Sequence, residues 1–202
     1  MRQSLLSCII FLISHIAIAD SFYDATVVFT DGKSKKGLVE STLGTDYILY
    51  KSSAGSKEEK IESSAVSKLI FTIKDEKREF HLLKVYLGWG QKRISDVMWL
   101  KVVESGIATL YVNRTTMSSQ DGLNTAGFLD YYIIRAGEPA AKMIANVSGA
   151  NNNQTFRAKA PLYFEDYPAL AEKIKSKEYT WKDLTTVVQE YNRWATSKSD
   201  VK

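Results

Sequence analysis

The sequence predicts an α+β protein: an N-terminal antiparallel β-sheet or small barrel-like region followed by a C-terminal helical segment. Segments rich in β-branched and aromatic residues recur at roughly 8- to 12-residue spacing through the first two thirds of the chain. After Glu138, apolar residues recur instead at helical spacing. We therefore expect a β-rich region over residues 20–136 and a helical region over 137–202 that packs on it.

Turn residues separate the segments that predict strands. Asp31 and Gly32 end the first segment, charged residues 74–77 form a later turn, and residues 104–106 mark a hairpin. Residues 115–127 are polar and aperiodic, which predicts a long loop of the kind that is usually functional or mobile. The predicted strands are 23–30, 37–39, 46–51, 66–73, 78–86, 97–103, 107–112 and 128–134, and Ile61 opens a further short extended piece.

Four segments of the C-terminal region predict helices. Residues 138–147 place Ala140, Met143, Ile144 and Val147 on one helical face. A short helix over 156–164, interrupted by a proline, and a helix over 168–175 come next. The last helix, over 180–196, has the strongest signal, because its Thr-Trp-Lys-Asp start is a capping-box variant.

Residues 1–19 predict a secretory signal peptide. Arg2 supplies a positive charge, residues 5–16 form an apolar run, and small residues stand three and one positions before Asp20. The run is shorter than the roughly 20 residues that cross a bilayer. Too few residues precede Cys8 for a lipoprotein signal. We expect cleavage before Asp20 and a soluble mature protein in the periplasm or at the cell surface, without a transmembrane segment.

Composition excludes several kinds of chemistry. Beyond the predicted signal the chain has no cysteine, and His81 is its one histidine. A Cys/His zinc site and Cys–His catalysis are therefore excluded, and we expect no metal and no cofactor. His81 is expected to be a strand residue with a hydrogen-bonded or solvated ring. Charges of both signs are interspersed, which is typical of a solvated surface and does not indicate nucleic-acid binding.

Two resemblances to known proteins add to these patterns. Residues 27–37, with strands that end near Ile73, are similar to a small Sm-like or SH3-like barrel; because Sm-like barrels bind RNA and an exported chain meets little RNA, we expect no RNA partner. A second resemblance rests on the runs 24–29, 31–32, 36–37, 98–100, 106–112, 135–141, 163–174 and 191–192. Their order resembles small, functionally uncharacterised exported proteins of Bacteroidetes-type bacteria. That resemblance implies export and an envelope setting, and it implies no catalytic residue.

One segment of the β-rich region has the composition of a binding surface. Tyr86, Trp89, Lys92 and Arg93 place two aromatic and two cationic side chains around a pair of glycines at a strand end. Exposed aromatic residues and arginine are frequent at interaction hot spots. For Trp89 itself, we favour the interpretation that it folds back and caps the barrel.

These observations predict a non-catalytic binding or scaffolding module of the bacterial envelope. Its expected partner is an envelope protein or a glycan, and no sequence feature indicates an oligomeric state. The alternative function is a carboxylate-based hydrolase that acts on envelope polysaccharide, which requires two acids roughly 5–9.5 Å apart in an open cleft. No motif identifies catalytic residues.

Overall fold

The computed structural model describes residues 22–87, 93–118, 125–147 and 152–199. The predicted signal peptide, residues 1–19, lies outside the described residues. So do two of the four predicted site residues, Trp89 and Lys92.

Ten strands form one antiparallel sheet, and helices follow it in the chain, so the α+β class is confirmed. The strand order is β10-β9-β8-β7-β6-β5-β1-β2-β3-β4. Strands consecutive in the chain are paired except β4 and β5, because β5 pairs with β1. The strands are β1 (Phe22–Phe29), β2 (Ser34–Glu40), β3 (Tyr47–Lys51), β4 (Glu59–Glu62), β5 (Val66–Ile73), β6 (Glu76–Leu87), β7 (Arg93–Glu104), β8 (Ala108–Ser118), β9 (Thr125–Arg135) and β10 (Lys142–Val147).

The sheet is open, so the predicted antiparallel sheet is confirmed, and the alternative of a small barrel-like region does not form a closed barrel. Its two edges are β4 and β10, and within the described ranges these strands do not pair with each other. The sheet does curl, because Val85 of β6 forms an isolated parallel bridge with Ala141, the residue before β10. Ala141 donates a backbone hydrogen bond to Lys84 O and accepts one from Tyr86 N, both at 2.9 Å.

The helix predicted over residues 138–147 is wrong, because Lys142–Val147 is strand β10. Both faces of this segment are buried: Ile144 packs with the helices, whereas Ala141 and Met143 pack inside the curl of the sheet. A bulge between Met143 and Ala145 adds a residue to the strand. Apolar residues on two faces, displaced by a bulge, produce spacings that match a helix.

The loop predicted over residues 115–127 is mostly strand. β8 and β9 remain paired until Ser118 lies opposite Thr125, and only residues 119–124 between them lie outside the described part. Threonines 115 and 116 are polar but β-branched, so they favour a strand even without apolar alternation.

Three helices follow the sheet: α1 (Asn152–Tyr163), α2 (Pro168–Lys175) and α3 (Leu184–Ser199). α1 contains Pro161, and α2 matches its predicted range. A short 3-10 turn, Trp181–Asp183, precedes α3 and carries the predicted capping box. Thr180 is the N-cap, and the Asp183 carboxylate accepts from the backbone N–H of Thr180. Among the helices of the described ranges, none is long and apolar enough to cross a membrane.

Buried apolar residues divide into three clusters. β6 and β7 take part in two of them, because opposite faces of these strands contact different clusters: Trp99 belongs to the cluster of β1–β5, and its neighbour Leu100 to the cluster inside the curl. The third cluster joins the outer face of β8–β10 to the helices. The largest fully buried side chains are Tyr50, Phe156, Phe164, Ile48, Leu69, Leu100, Leu110, Ile133, Ile144, Leu170, Ile174 and Leu184.

Candidate functional site

The described part of the predicted binding segment lies at the free end of the β6–β7 hairpin. Tyr86 is half-buried and directly opposite Ile94, and Leu87 is opposite Arg93. Arg93 is exposed, and Ile94 has 44% of its surface exposed. Residues directly opposite in a sheet share a face, so Tyr86 and Ile94 present adjacent side chains. We call Tyr86, Arg93 and Ile94 the hairpin end.

A bulge shapes this end of the hairpin. Lys84 pairs with Val97 and Tyr86 pairs with Ile94, so β7 has one more residue than β6 between these two pairs. A bulge bends and twists a hairpin, and bulges often lie beside functional sites. Opposite the bulge, Val85 is fully buried. The exposed hairpin end is therefore adjacent to a fully buried residue of the core.

A second group of polar residues lies where the sheet meets the helices, and the sequence interpretation missed it. We call Arg135, Glu138, Lys142, Tyr163, Asp166 and Tyr191 the Arg135 cluster. Each except Lys142 and Tyr191 lies within residues 135–141 or 163–174, and Tyr191 belongs to the same resemblance. The residues of the cluster therefore lie in separate runs of the sequence. No single run indicates that these residues contact one another in the fold.

Arg135 is the centre of this cluster. Its Nη2 donates to Tyr163 O at 2.6 Å and to Asp166 Oδ1 at 3.0 Å. Its guanidinium carbon lies 4.5 Å from the ring centre of Tyr163 and 4.7 Å from that of Tyr191. Its Nε is buried and has no hydrogen-bond partner among the described residues, and the two cation–π contacts offset part of that cost.

The remaining members complete a closed network. Tyr163 OH donates to Glu138 Oε2 at 2.7 Å, Tyr191 OH donates to Asp166 Oδ2 at 2.8 Å, and Lys142 forms a 3.0 Å ion pair with Glu138. Burial raises the pKa of the Tyr191 hydroxyl to about 12, and its bond to Asp166 acts in the same direction. The phenols therefore stay protonated and act as donors to carboxylates.

Glu138 is held as a carboxylate. Burial favours its neutral form, but hydrogen bonds from the Arg135 backbone, Tyr163 and Lys142 outweigh burial and keep the pKa of Glu138 below its ordinary value. A general acid of a glycosidase needs the opposite shift. The interactions of this cluster hold the sheet and the helices together, which is a structural role.

His81 lies in a third polar group, the His81 cluster of Lys68, Glu79, His81 and Tyr111. Nε2 of His81 is 2.7 Å from Glu79 Oε1, and Nδ1 is 2.8 Å from Tyr111 OH. Lys68 also donates to Glu79, at 3.2 Å. Because a carboxylate accepts only, Nε2 donates the hydrogen bond to Glu79. The prediction of a hydrogen-bonded strand histidine is confirmed.

The His81 cluster predicts a loss of stability in acid. Burial favours neutral Glu79, but bonds from His81 and Lys68 outweigh it and lower the pKa of Glu79 below its ordinary value of 4.5. A lowered folded-state pKa stabilises the fold above the unfolded-state pKa, and this contribution disappears as pH falls through the folded-state pKa. Urea unfolding between pH 6 and 3 measures it, and Glu79→Gln is expected to flatten the pH dependence.

Removing a donor to Glu79 provides the control. Lys68→Met keeps the carboxylate but removes one of its partners, so the pH dependence is expected to lie between those of the wild type and Glu79→Gln. An unchanged slope in Glu79→Gln would contradict the assignment.

The residues described contain no group of three or more His, Cys, Asp and Glu side chains placed to hold a metal ion. The fold and its polar clusters define an α+β protein with one open, curled antiparallel sheet braced by three helices. In comparisons with known proteins, no family model, no curated protein and no solved structure matches the chain.

Proposed function

We propose that this protein is an exported, non-catalytic binding module of the bacterial envelope and that the hairpin end is its binding surface. The observation that carries the proposal is the exposure of Ile94 opposite Tyr86 and beside Arg93, on a backbone supported by buried Val85. Export is proposed from the features of residues 1–19 and from the resemblance to exported bacterial proteins.

An envelope protein is the partner that the hairpin end fits best. Tyrosine and arginine are enriched at interaction hot spots, and burial of Ile94 on binding removes apolar surface from water. Trp89 and Lys92 remain predicted members of the same surface. A glycan, which would stack on an aromatic ring, is the second outcome that the experiment below distinguishes.

The alternative function is the carboxylate-based hydrolase. Glu138 and Asp166 share Arg135 as a partner, yet each already accepts a phenol hydrogen bond, and the pKa of Glu138 is lowered. This environment favours a brace over a general acid, so the binding module is the preferred proposal. Hydrolysis of purified peptidoglycan or envelope polysaccharide by the protein would reverse that preference.

Photo-crosslinking in the envelope of living cells tests the binding surface. A photoreactive aromatic amino acid replaces Ile94 in one variant and Ile107 in a matched control. Ile107 is 39% exposed and lies at the β7–β8 turn, the opposite end of β7. We expect a discrete protein adduct from position 94 that is absent from position 107 and is lost when Tyr86→Ala is added.

Thermal unfolding against peptidoglycan fragments and envelope glycans distinguishes the partner classes. A ligand at 100 times its Kd stabilises the folded state by about 2.7 kcal/mol, which raises the Tm by several degrees. A shift with a glycan, abolished by Tyr86→Ala, would replace the protein partner by a glycan. Equal adducts from positions 94 and 107, with no thermal shift, would overturn the hairpin end as the binding surface.

A further inference from the structure

We infer that Glu138 is a positioning residue for the hairpin end: its carboxylate holds the β9–β10 connection in the conformation that places Ala141 against the backbone of Tyr86. The inference deepens the proposed function and rests on it only for the role of the hairpin end. The mechanical link itself is independent of any partner.

One carboxylate fixes both ends of the β9–β10 connection. Glu138 Oε2 accepts from the backbone N–H of Arg135, the last residue of β9, at 2.8 Å. Its Oε1 accepts from Lys142 Nζ, on the first residue of β10, at 3.0 Å. A third bond, from Tyr163 OH at 2.7 Å, ties the same group to α1. The connection is therefore clamped at its start, at its end and to the helical layer.

The backbone of the connection forms a tight turn that the clamp maintains. Glu138 N donates to Arg135 O at 3.1 Å, and Gly137 between them has a φ of +87°. That φ suits glycine, which adopts the left-handed region without steric cost. The Arg135–Glu138 backbone bond closes only the turn itself, so the side-chain bonds of Glu138 act on the part of the connection that follows the turn.

β6 depends on this connection for lateral support near the hairpin end. β5 pairs with β6 only as far as Phe80. Beyond that residue, Ala141 bridges Val85 through two 2.9 Å backbone bonds, to Lys84 and from Tyr86. On the other side of β6, the bulge in β7 disrupts the β6–β7 backbone pairing between Lys84 and Tyr86. Displacement of Ala141 would therefore release the backbone of the proposed binding surface.

Amide hydrogen exchange of the purified protein tests the inference. In Glu138→Ala we expect the amides of Tyr86 and Ala141 to exchange roughly ten-fold faster or more, while amides of β1 keep their wild-type rates. Glu138→Gln keeps an oxygen acceptor and is expected to recover part of the protection. This local pattern differs from the uniform acceleration that general destabilisation produces.

Glu190→Ala is the matched control. Glu190 also accepts from a lysine, Lys173 at 3.0 Å, and from two tyrosine hydroxyls, Tyr179 at 2.7 Å and Tyr167 at 3.5 Å, but it lies on α3. Its loss is expected to leave Tyr86 exchange unchanged. Equal acceleration at Tyr86 in Glu138→Ala and Glu190→Ala would overturn the inference, and so would unchanged Tyr86 exchange in Glu138→Ala.

Two milder variants keep the inference testable if Glu138→Ala does not fold. Lys142→Met removes the ion pair alone, and Tyr163→Phe removes one hydrogen bond. Each is expected to accelerate exchange at Ala141 and Tyr86 in the same direction by a smaller factor, and acceleration spread evenly over the sheet would overturn the positioning role. If the otherwise wild-type protein gives no specific adduct from position 94 while the exchange pattern is as expected, only the binding function is refuted.

Discussion

Replacing Asn192 by alanine is expected to lower the free energy of unfolding by about 2 to 4 kcal/mol, because it leaves two buried backbone groups without partners. Asn192 Oδ1 accepts from Ala108 N at 2.8 Å, and Nδ2 donates to Ala108 O at 2.9 Å. Ala108 is fully buried. The pair docks α3 on the start of β8. Urea unfolding followed by circular dichroism measures the loss.

The shape of the β7–β8 turn explains why this contact is specific. A Cβ at Gly106 would lie 2.2 Å from Asn192 Nδ2, so the amide fills the space above the turn. Asn192→Asp keeps one acceptor but loses the donor to Ala108 O, and we expect it to rescue little. Arg193→Ala, an exposed neighbour on α3, is the control and should change stability by under roughly 0.5 kcal/mol. A loss below about 1 kcal/mol in Asn192→Ala would contradict the docking role.

Replacing Arg135 by methionine is expected to cost about 2 to 3 kcal/mol. Breaking a buried ion pair by removing one partner costs about 3 to 5 kcal/mol, and the expected figure is lower because the Asp166 side chain is 43% exposed and therefore screened by solvent. The methionine leaves Tyr163 O without its 2.6 Å donor and removes the cation from between two tyrosine rings. Urea unfolding again gives the magnitude.

Arg135→Lys distinguishes geometry from charge. An ammonium group lacks the planar fork that reaches Tyr163 O and Asp166 together while it stacks on the rings, so lysine is expected to recover less than half of the loss. Arg157→Met, at an exposed position of α1, serves as the matched control. Full rescue by lysine would show that the cluster depends on charge alone.

Local signals predicted local structure well. The Asp31 and Gly32 turn separates β1 from β2 as predicted, with Gly32 at a φ of +84° and Lys33 N donating to Asp31 Oδ1. The capping box of Thr180 and Asp183 is likewise formed as predicted. In both features the interacting groups lie within three residues of each other. A short stretch of sequence therefore contains all the partners.

The errors lie where burial on two faces or pairing with a distant strand decides the conformation. Ala141 and Met143 face the interior of the curl, whereas Ile144 faces the helices, and this two-sided burial imitates a helix in the sequence. The polar strand ends near Thr115 are paired with β9, and they lack the apolar alternation from which strands are predicted.

The sequence by itself determined the α+β class, most strand positions, the last helix with its cap, and the position of His81 in a strand. The tertiary structure alone decided that the sheet stays open and that the Arg135 cluster assembles. Tyr163 OH reaches a carboxylate 25 residues earlier, and Arg135 reaches Asp166 31 residues later. Such contacts depend on how the sheet curls under the helices. The curl brings together residues that are distant in the chain, and the local sequence around each of them does not indicate its partner.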